Sequence, residues 1–112
     1  MTNLRAVGLD DEFLDDNVAL VKGWFSDTLP NYDGANIALL HIDADLYDSY
    51  KSVLDNLWAK VAVGGIVVFD EYHSDGWPGA RKAVDEFFDT RPGSMELYYS
   101  TVSGRNYVVK LK

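Results

Sequence analysis

The sequence predicts an α/β domain in which parallel strands alternate with helices and a C-terminal antiparallel hairpin closes the sheet. Ile37–Ile42 (IALLHI) and Ile66–Phe69 (IVVF) are short, almost wholly apolar runs, and the segment between them is apolar at a spacing of three and four. Two further strand-like runs, Met95–Ser100 and Asn106–Leu111, flank Ser103 and Gly104 in the pattern of a hairpin. At 112 residues, 47% hydrophobic and 25% charged, the chain has the profile of a single folded domain, residues 1–112.

Taken in order, Val18–Lys22 (VALVK) reads as a first strand ended by Gly23, Trp24–Leu29 as a short helical piece and Pro30–Asn36 as a loop. Ile37–Ile42 is apolar on both alternating faces, as expected of a parallel strand covered by helices on both sides. From Leu46 the period changes: Leu46, Tyr50, Val53, Leu54, Leu57, Trp58 and Val61 form the buried stripe of a helix. Gly64 and Gly65 are expected to stop that helix ahead of the Ile66–Phe69 strand. Pro78 opens the next helix at its first position, with Ala80, Ala83, Val84, Phe87 and Phe88 as its buried stripe, before Arg91, Pro92 and Gly93 break it. Right-handed crossovers between these elements give one mixed sheet.

Charge and composition narrow the function. Eighteen acidic and ten basic residues give a formal net charge of -8, which argues against nucleic acid or an anionic membrane surface as a partner. Without cysteine there is no disulfide, thiolate zinc site or thiol nucleophile, so oxygen or imidazole must hold any metal. The acid-studded start, Met1–Asp16, lacks the basic and apolar stretches of a secretion signal, and no apolar run has the length of a membrane span. A cytoplasmic location is expected.

The chemistry concentrates where strands end. Asp43 and Asp45 lie just past one apolar run, and Asp70 with Glu71 just past the next. Neighbouring strands run about 4.8 Å apart, so these carboxylates are expected to crowd the carboxyl edge of the sheet, where open α/β folds place ligands. Such crowding calls for a cation, and an all-oxygen donor set favours magnesium, calcium or manganese over zinc. For any one acid, helix capping is the simpler explanation, and Asp45 stands where it could cap the helix that follows. Two strands that both end in an acid pair are better explained by a metal or catalytic site.

The succession VALVKGWFSDTLP (Val18–Pro30), IALLHIDADLYDSY (Ile37–Tyr50), GGIVVFDEYH (Gly64–His73) and WPGARKAVDEFF (Trp77–Phe88) resembles the macrocin O-methyltransferase family. The resemblance implies a class I, Rossmann-like methyltransferase fold and a magnesium- or manganese-assisted transfer from S-adenosylmethionine. The acceptor it implies is a sugar hydroxyl of a glycosylated natural product. It also implies Asp43, Asp70 and Glu71 as metal ligands and Asp45 as general base. The family often has two aspartates where this chain has Asp70 followed by Glu71, and the longer side chain of Glu71 reaches a different point. His73 is a second candidate base, although its predicted loop position suits an ordinary surface histidine. Trp24, Phe25 and Trp77 are candidates to line a pocket, against the commoner role of aromatic residues in cores and interfaces. Arg81 and Lys82 read as a solvated helix face.

None of the nine glycines forms G-x-G-x-x-G, the cofactor-binding signature of such folds. In family terms the chain begins near the third strand, which implies a C-terminal fragment, inactive alone, without the glycine-rich cofactor-binding strands. Its strand edges are then open, and a homodimer or larger assembly is expected. Two other readings are open at this point. Asp-x-Asp after an apolar strand also suits a manganese-dependent glycosyltransferase, and half of such a fold could serve as a non-catalytic assembly module. The haloacid dehalogenase phosphatases share the Asp-x-Asp letters, but Tyr47 stands where their motif wants Thr or Val.

Overall fold

The computed structural model describes Gly8 and residues 10–112; expectations that fall on residues 1–7 and 9 lie outside the described residues. Four helices and four strands follow in the order α1 (Asp11–Asn17), α2 (Phe25–Thr28), β1 (Ile37–Ile42), α3 (Tyr47–Leu57), β2 (Val61–Phe69), α4 (Pro78–Asp89), β3 (Met95–Ser100) and β4 (Arg105–Lys110). Short 3-10 turns at Leu29–Asn31 and Trp58–Lys60 extend α2 and α3.

Each long helix forms where an apolar stripe exists to be buried. Tyr50, Val53, Leu54 and Leu57 are the buried residues of α3, and Ala80, Ala83, Val84, Phe87 and Phe88 those of α4. Pro78 occupies the first turn of α4, where its missing N–H is harmless. The first turns of the two helices touch: a Cβ on Gly79 would meet Tyr47 Cβ and N at 3.0 Å, so only a glycine allows this approach.

The sheet order is β1-β2-β4-β3. β1 pairs parallel to β2, with Ile42 opposite Phe69, while β4 runs antiparallel to both β2 and β3. Ile42, Val67, Phe69 and Val108 are buried on the face that receives the helices, in one cluster with Tyr50, Leu54, Val84 and Phe88. The Tyr50 and Phe69 rings lie 6.3 Å apart, and Trp58 meets Phe88 edge-on at 4.8 Å.

Three expectations are corrected. Val18–Lys22 is not a strand: it has no regular secondary structure and no ladder, and Leu20 and Val21 are 77% and 74% exposed. An apolar run needs a neighbouring edge to become a strand, and among the described residues β1 pairs only with β2. The helix in front of Gly64 also ends sooner. Its last turn is 3-10, and β2 begins at Val61, but the Val61–Ile37 pair is followed by a break, and regular pairing resumes only at Ile66–Leu39. Gly64, with φ of 84°, supplies the left-handed kink between the two stretches. Lastly, the sheet is not equally covered on both faces, since Ile66, Val68, Tyr107 and Val109 are only half-buried and Leu39 is 63% exposed.

A buried lysine joins the sheet to the end of α3. Lys110 Nζ donates to the carbonyls of Trp58 (2.9 Å) and Val61 (2.8 Å) and lies 4.9 Å above the Trp58 ring. Burial lowers its pKa below the usual lysine range. Lys110→Met keeps the stem but leaves two carbonyls without a donor, so it should cost about 1–3 kcal/mol of stability. Thermal unfolding followed by circular dichroism should show a fall of several degrees; an unchanged midpoint would mean that water replaces the ammonium.

Candidate active site

The carboxyl ends of β1 and β2 lie side by side, and the residues that follow them form an open cleft of about 300 Å³ lined by Asp43, Asp45, Asp70, Glu71, His73, Ser74, Trp77 and Arg105. Carboxylate oxygens of Asp43, Asp70 and Glu71 lie within 4.8 Å of one another. The parallel register produces this convergence: Ile42 and Phe69 are partners, and the Asp70 N–H donates to the Ile42 carbonyl at 3.0 Å. Asp43 is exposed, Asp70 half-buried and Glu71 only 4% exposed.

Glu71 is the most constrained of the acids. Its Oε1 accepts the N–H of Ala44 (3.2 Å), the N–H of Asp45 (3.1 Å) and the hydroxyl of Tyr50 (2.8 Å). Tyr50 is fully buried in α3; its oxygen also accepts the Glu71 N–H at 3.3 Å and stands 3.2 Å from the Ile42 carbonyl. Burial raises the Tyr50 phenol well above its ordinary pKa, so it stays a donor. Burial also raises the pKa of Glu71, as does the nearby Asp43, while the bonds from Tyr50 and Asp45 oppose the rise.

Asp70 has the opposite environment. Arg105 Nε donates to its Oδ1 at 2.9 Å, and His41 Nε2 lies 3.1 Å from the same oxygen. Arg105, with His41 assisting, holds the Asp70 carboxyl below the usual range. Neither residue was among the sequence candidates. His41 stands two positions before Asp43 on β1, a detectable spacing, but Arg105 comes from β4, 35 residues beyond Asp70, and no local motif marks it.

Asp45 does not cap α3: the N-cap position is Leu46, with no side-chain cap bond. Instead Asp45 has φ of 64°, unique among the described non-glycine residues, and the Leu46 N–H donates to the Ala44 carbonyl at 2.6 Å across it. This i to i+2 bond around a left-handed residue is a γ-turn of the rarer, strained kind. Aspartate tolerates it better than most side chains, and strain of this sort gathers at functional sites. His73 is exposed at the rim and meets the Tyr99 ring edge-on. Of the other aromatic candidates, Trp77 lines the acid cleft, whereas Trp24 and Phe25 line a separate apolar hollow with Leu46. Arg81 and Lys82 are exposed and pair along α4 with Asp85 and Glu86.

The fold, a mixed sheet with acids at the carboxyl ends of its parallel strands, is similar to that of solved O-methyltransferases. It matches the solved structure of the O-methyltransferase NovP with a TM-score of 0.82 and 35% identity, over 99% of this chain and 43% of that one. CalS11, the TDP-rhamnose 3'-O-methyltransferase of calicheamicin biosynthesis, matches 81% of this chain and 40% of its own at a TM-score of 0.68 and 29% identity. The macrocin O-methyltransferase (TylF) family model matches residues 2–98, and the chain belongs to that family. Among curated relatives, the demethyldecarbamoylnovobiocin O-methyltransferase of Streptomyces niveus is 43% identical over 68% of this chain. The mycinamicin III 3''-O-methyltransferase of Micromonospora griseorubida is 34% identical over 75%. The chain spans 28% and 32% of the length of these two relatives.

The Asp70–Arg105 pair predicts a pH dependence. A carboxyl whose folded pKa is depressed contributes stability that is whole above its unfolded value, about 3.9, and is lost as pH falls through the folded pKa. Arg105→Gln should therefore be less stable than the wild type at pH 7, by a small margin because the pair is partly solvated. The difference should shrink towards pH 3. Urea unfolding at both pH values checks this, and a difference that persists undiminished at pH 3 would assign the role of Arg105 to packing.

Proposed function

We propose that this chain carries the cation- and acceptor-binding part of an S-adenosylmethionine-dependent O-methyltransferase that methylates a sugar hydroxyl of a glycosylated natural product. The observation that carries the reading is the convergence of Asp43, Asp70 and Glu71 at the ends of two adjacent parallel strands, in a chain whose relatives are sugar O-methyltransferases. The chain then corresponds to a C-terminal portion of the enzyme fold.

The donor set fits a magnesium or manganese ion. All three groups are hard carboxylate oxygens, their mutual repulsion calls for a positive charge, and the hydrogen bonds described occupy only Oδ1 of Asp70 and Oε1 of Glu71. When bound, the cation would lower the pKa of a coordinated sugar hydroxyl, and S-adenosylmethionine would supply the methyl group. Asp43, Asp70 and Glu71 would hold the cation and so fix the acceptor's position. Arg105 and His41 keep Asp70 ionised and oriented. Asp45, on the strained turn in the same cleft, would take the hydroxyl proton as the oxygen gains its methyl group, with His73 at the rim as the alternative acceptor of that proton. Trp77 offers an apolar wall against which a sugar ring can lie.

Titration calorimetry with magnesium or manganese tests the cation site. Weak binding is expected, since three carboxylates leave part of the coordination shell to water. The paired substitution Asp43→Asn with Asp70→Asn should weaken it about tenfold or more. An unaltered isotherm in that double variant would remove the assignment.

The proposal extends to assembly. Among the described strands β1 lies at the edge of the sheet, and its Leu39 is exposed, as are the apolar Leu20 and Val21. A homodimer or larger species is expected by size-exclusion chromatography with light scattering at micromolar concentration; a monodisperse monomer that binds no hydrophobic dye would refute it.

A further inference from the structure

Glu71 has a geometry that a cation ligand alone does not need. One of its oxygens meets two successive backbone N–H groups, those of Ala44 and Asp45, and the hydroxyl of a fully buried tyrosine. Successive N–H groups aimed at one anionic oxygen form a nest, which holds a turn in a shape it would not otherwise keep. The turn in question is the strained one, with Asp45 at φ 64° inside the 2.6 Å Leu46–Ala44 bond. Tyr50 closes the arrangement from α3. It donates to the carboxylate and accepts the Glu71 N–H, so both ends of the glutamate are tied to one phenol. A shorter acid at position 71 has less reach from the end of β2 into the turn between β1 and α3.

We infer that Glu71, fixed by Tyr50, is a positioning residue for Asp45: it braces the left-handed turn that sets Asp45 in the cleft beside Asp43 and Asp70. The consequence for catalysis rests on the proposed role of Asp45 as base; the brace itself is a property of this chain and is testable without turnover. It uses one oxygen of Glu71 and leaves the other for a cation.

The experiment compares amide hydrogen exchange at Ala44 and Asp45 in the ¹⁵N-labelled wild-type chain and in Glu71→Gln, Glu71→Ala and Tyr50→Phe, each also titrated with magnesium. Glu71→Gln keeps an accepting oxygen and should stay within about threefold of the wild-type exchange rates. Glu71→Ala should raise both rates about tenfold or more, with the amides of α4 unaffected, because the lost bonds were charge-assisted. Tyr50→Phe should raise them by a smaller factor, and it carries the test if Glu71→Ala does not fold. Rates equal to wild type in both Glu71→Ala and Tyr50→Phe would overturn the inference, as would Glu71→Gln exchanging as fast as Glu71→Ala. Failure of the wider reading looks different: no variant, nor the wild type, would respond to magnesium, while the amide pattern stayed as described.

Discussion

A carboxylate withdrawn from water must be met by donors, and Glu71 imposes that demand at the point where β1, β2 and α3 come together. The three donors on its Oε1 come from the turn after β1 and from the first turn of α3, so satisfying one oxygen joins three elements at once. The other acids take their places from this knot. Asp43 and Asp45 stand on either side of Ala44, whose N–H, like that of Asp45, reaches Glu71, and Asp70 precedes Glu71 in the chain. Without the Tyr50 hydroxyl the buried glutamate would lose its strongest neutral donor, and the penalty of its burial would fall on the site itself.

The site also depends on the antiparallel part of the sheet. β4 lies between β2 and β3, with Asn106 opposite Phe69, and this register places Arg105 next to Asp70. Without the antiparallel β4, Asp70 would keep His41 but lose its arginine. The hairpin thus supplies a fixed positive charge to one side of the cluster. Asp70 and Glu71 are neighbours in sequence, yet Arg105 drives the first towards ionisation and burial drives the second towards its protonated form. Environment, not residue type, separates their behaviour.

Much of this was legible in the sequence, for local reasons. The stripes of α3 and α4, the apolar run of β1 and the hairpin all follow from periodicity and turn residues, and the crowding of Asp43, Asp45, Asp70 and Glu71 follows because strand ends in a parallel sheet share an edge, while the roles given to each acid came from the family resemblance. The failures have a common cause. VALVK has the composition of a strand, but a strand exists only through its neighbour, and composition cannot show whether one is there. Arg105 entered the site through the long-range β2–β4 register, which no window of sequence contains. Asp45 looked like a cap because it precedes a helix; in the fold it sits in a left-handed turn and its N–H donates to Glu71, 26 positions away.

The position of β4 has a consequence for how the protein is made. The strand that fills the middle of the sheet is later in sequence than every other element, so β2 meets its second partner only after residues 105–110 have left the ribosome. Until then Val67 and Phe69 belong to a two-stranded ribbon, which is marginal in water, and both long helices have little to rest on. The nascent chain therefore passes through a stage in which its most apolar strand is half-paired and open to wrong partners, and the hairpin that ends this exposure is the one that delivers Arg105 to Asp70. The pairing of β2 with β4 and the arrival of Arg105 beside Asp70 thus happen together.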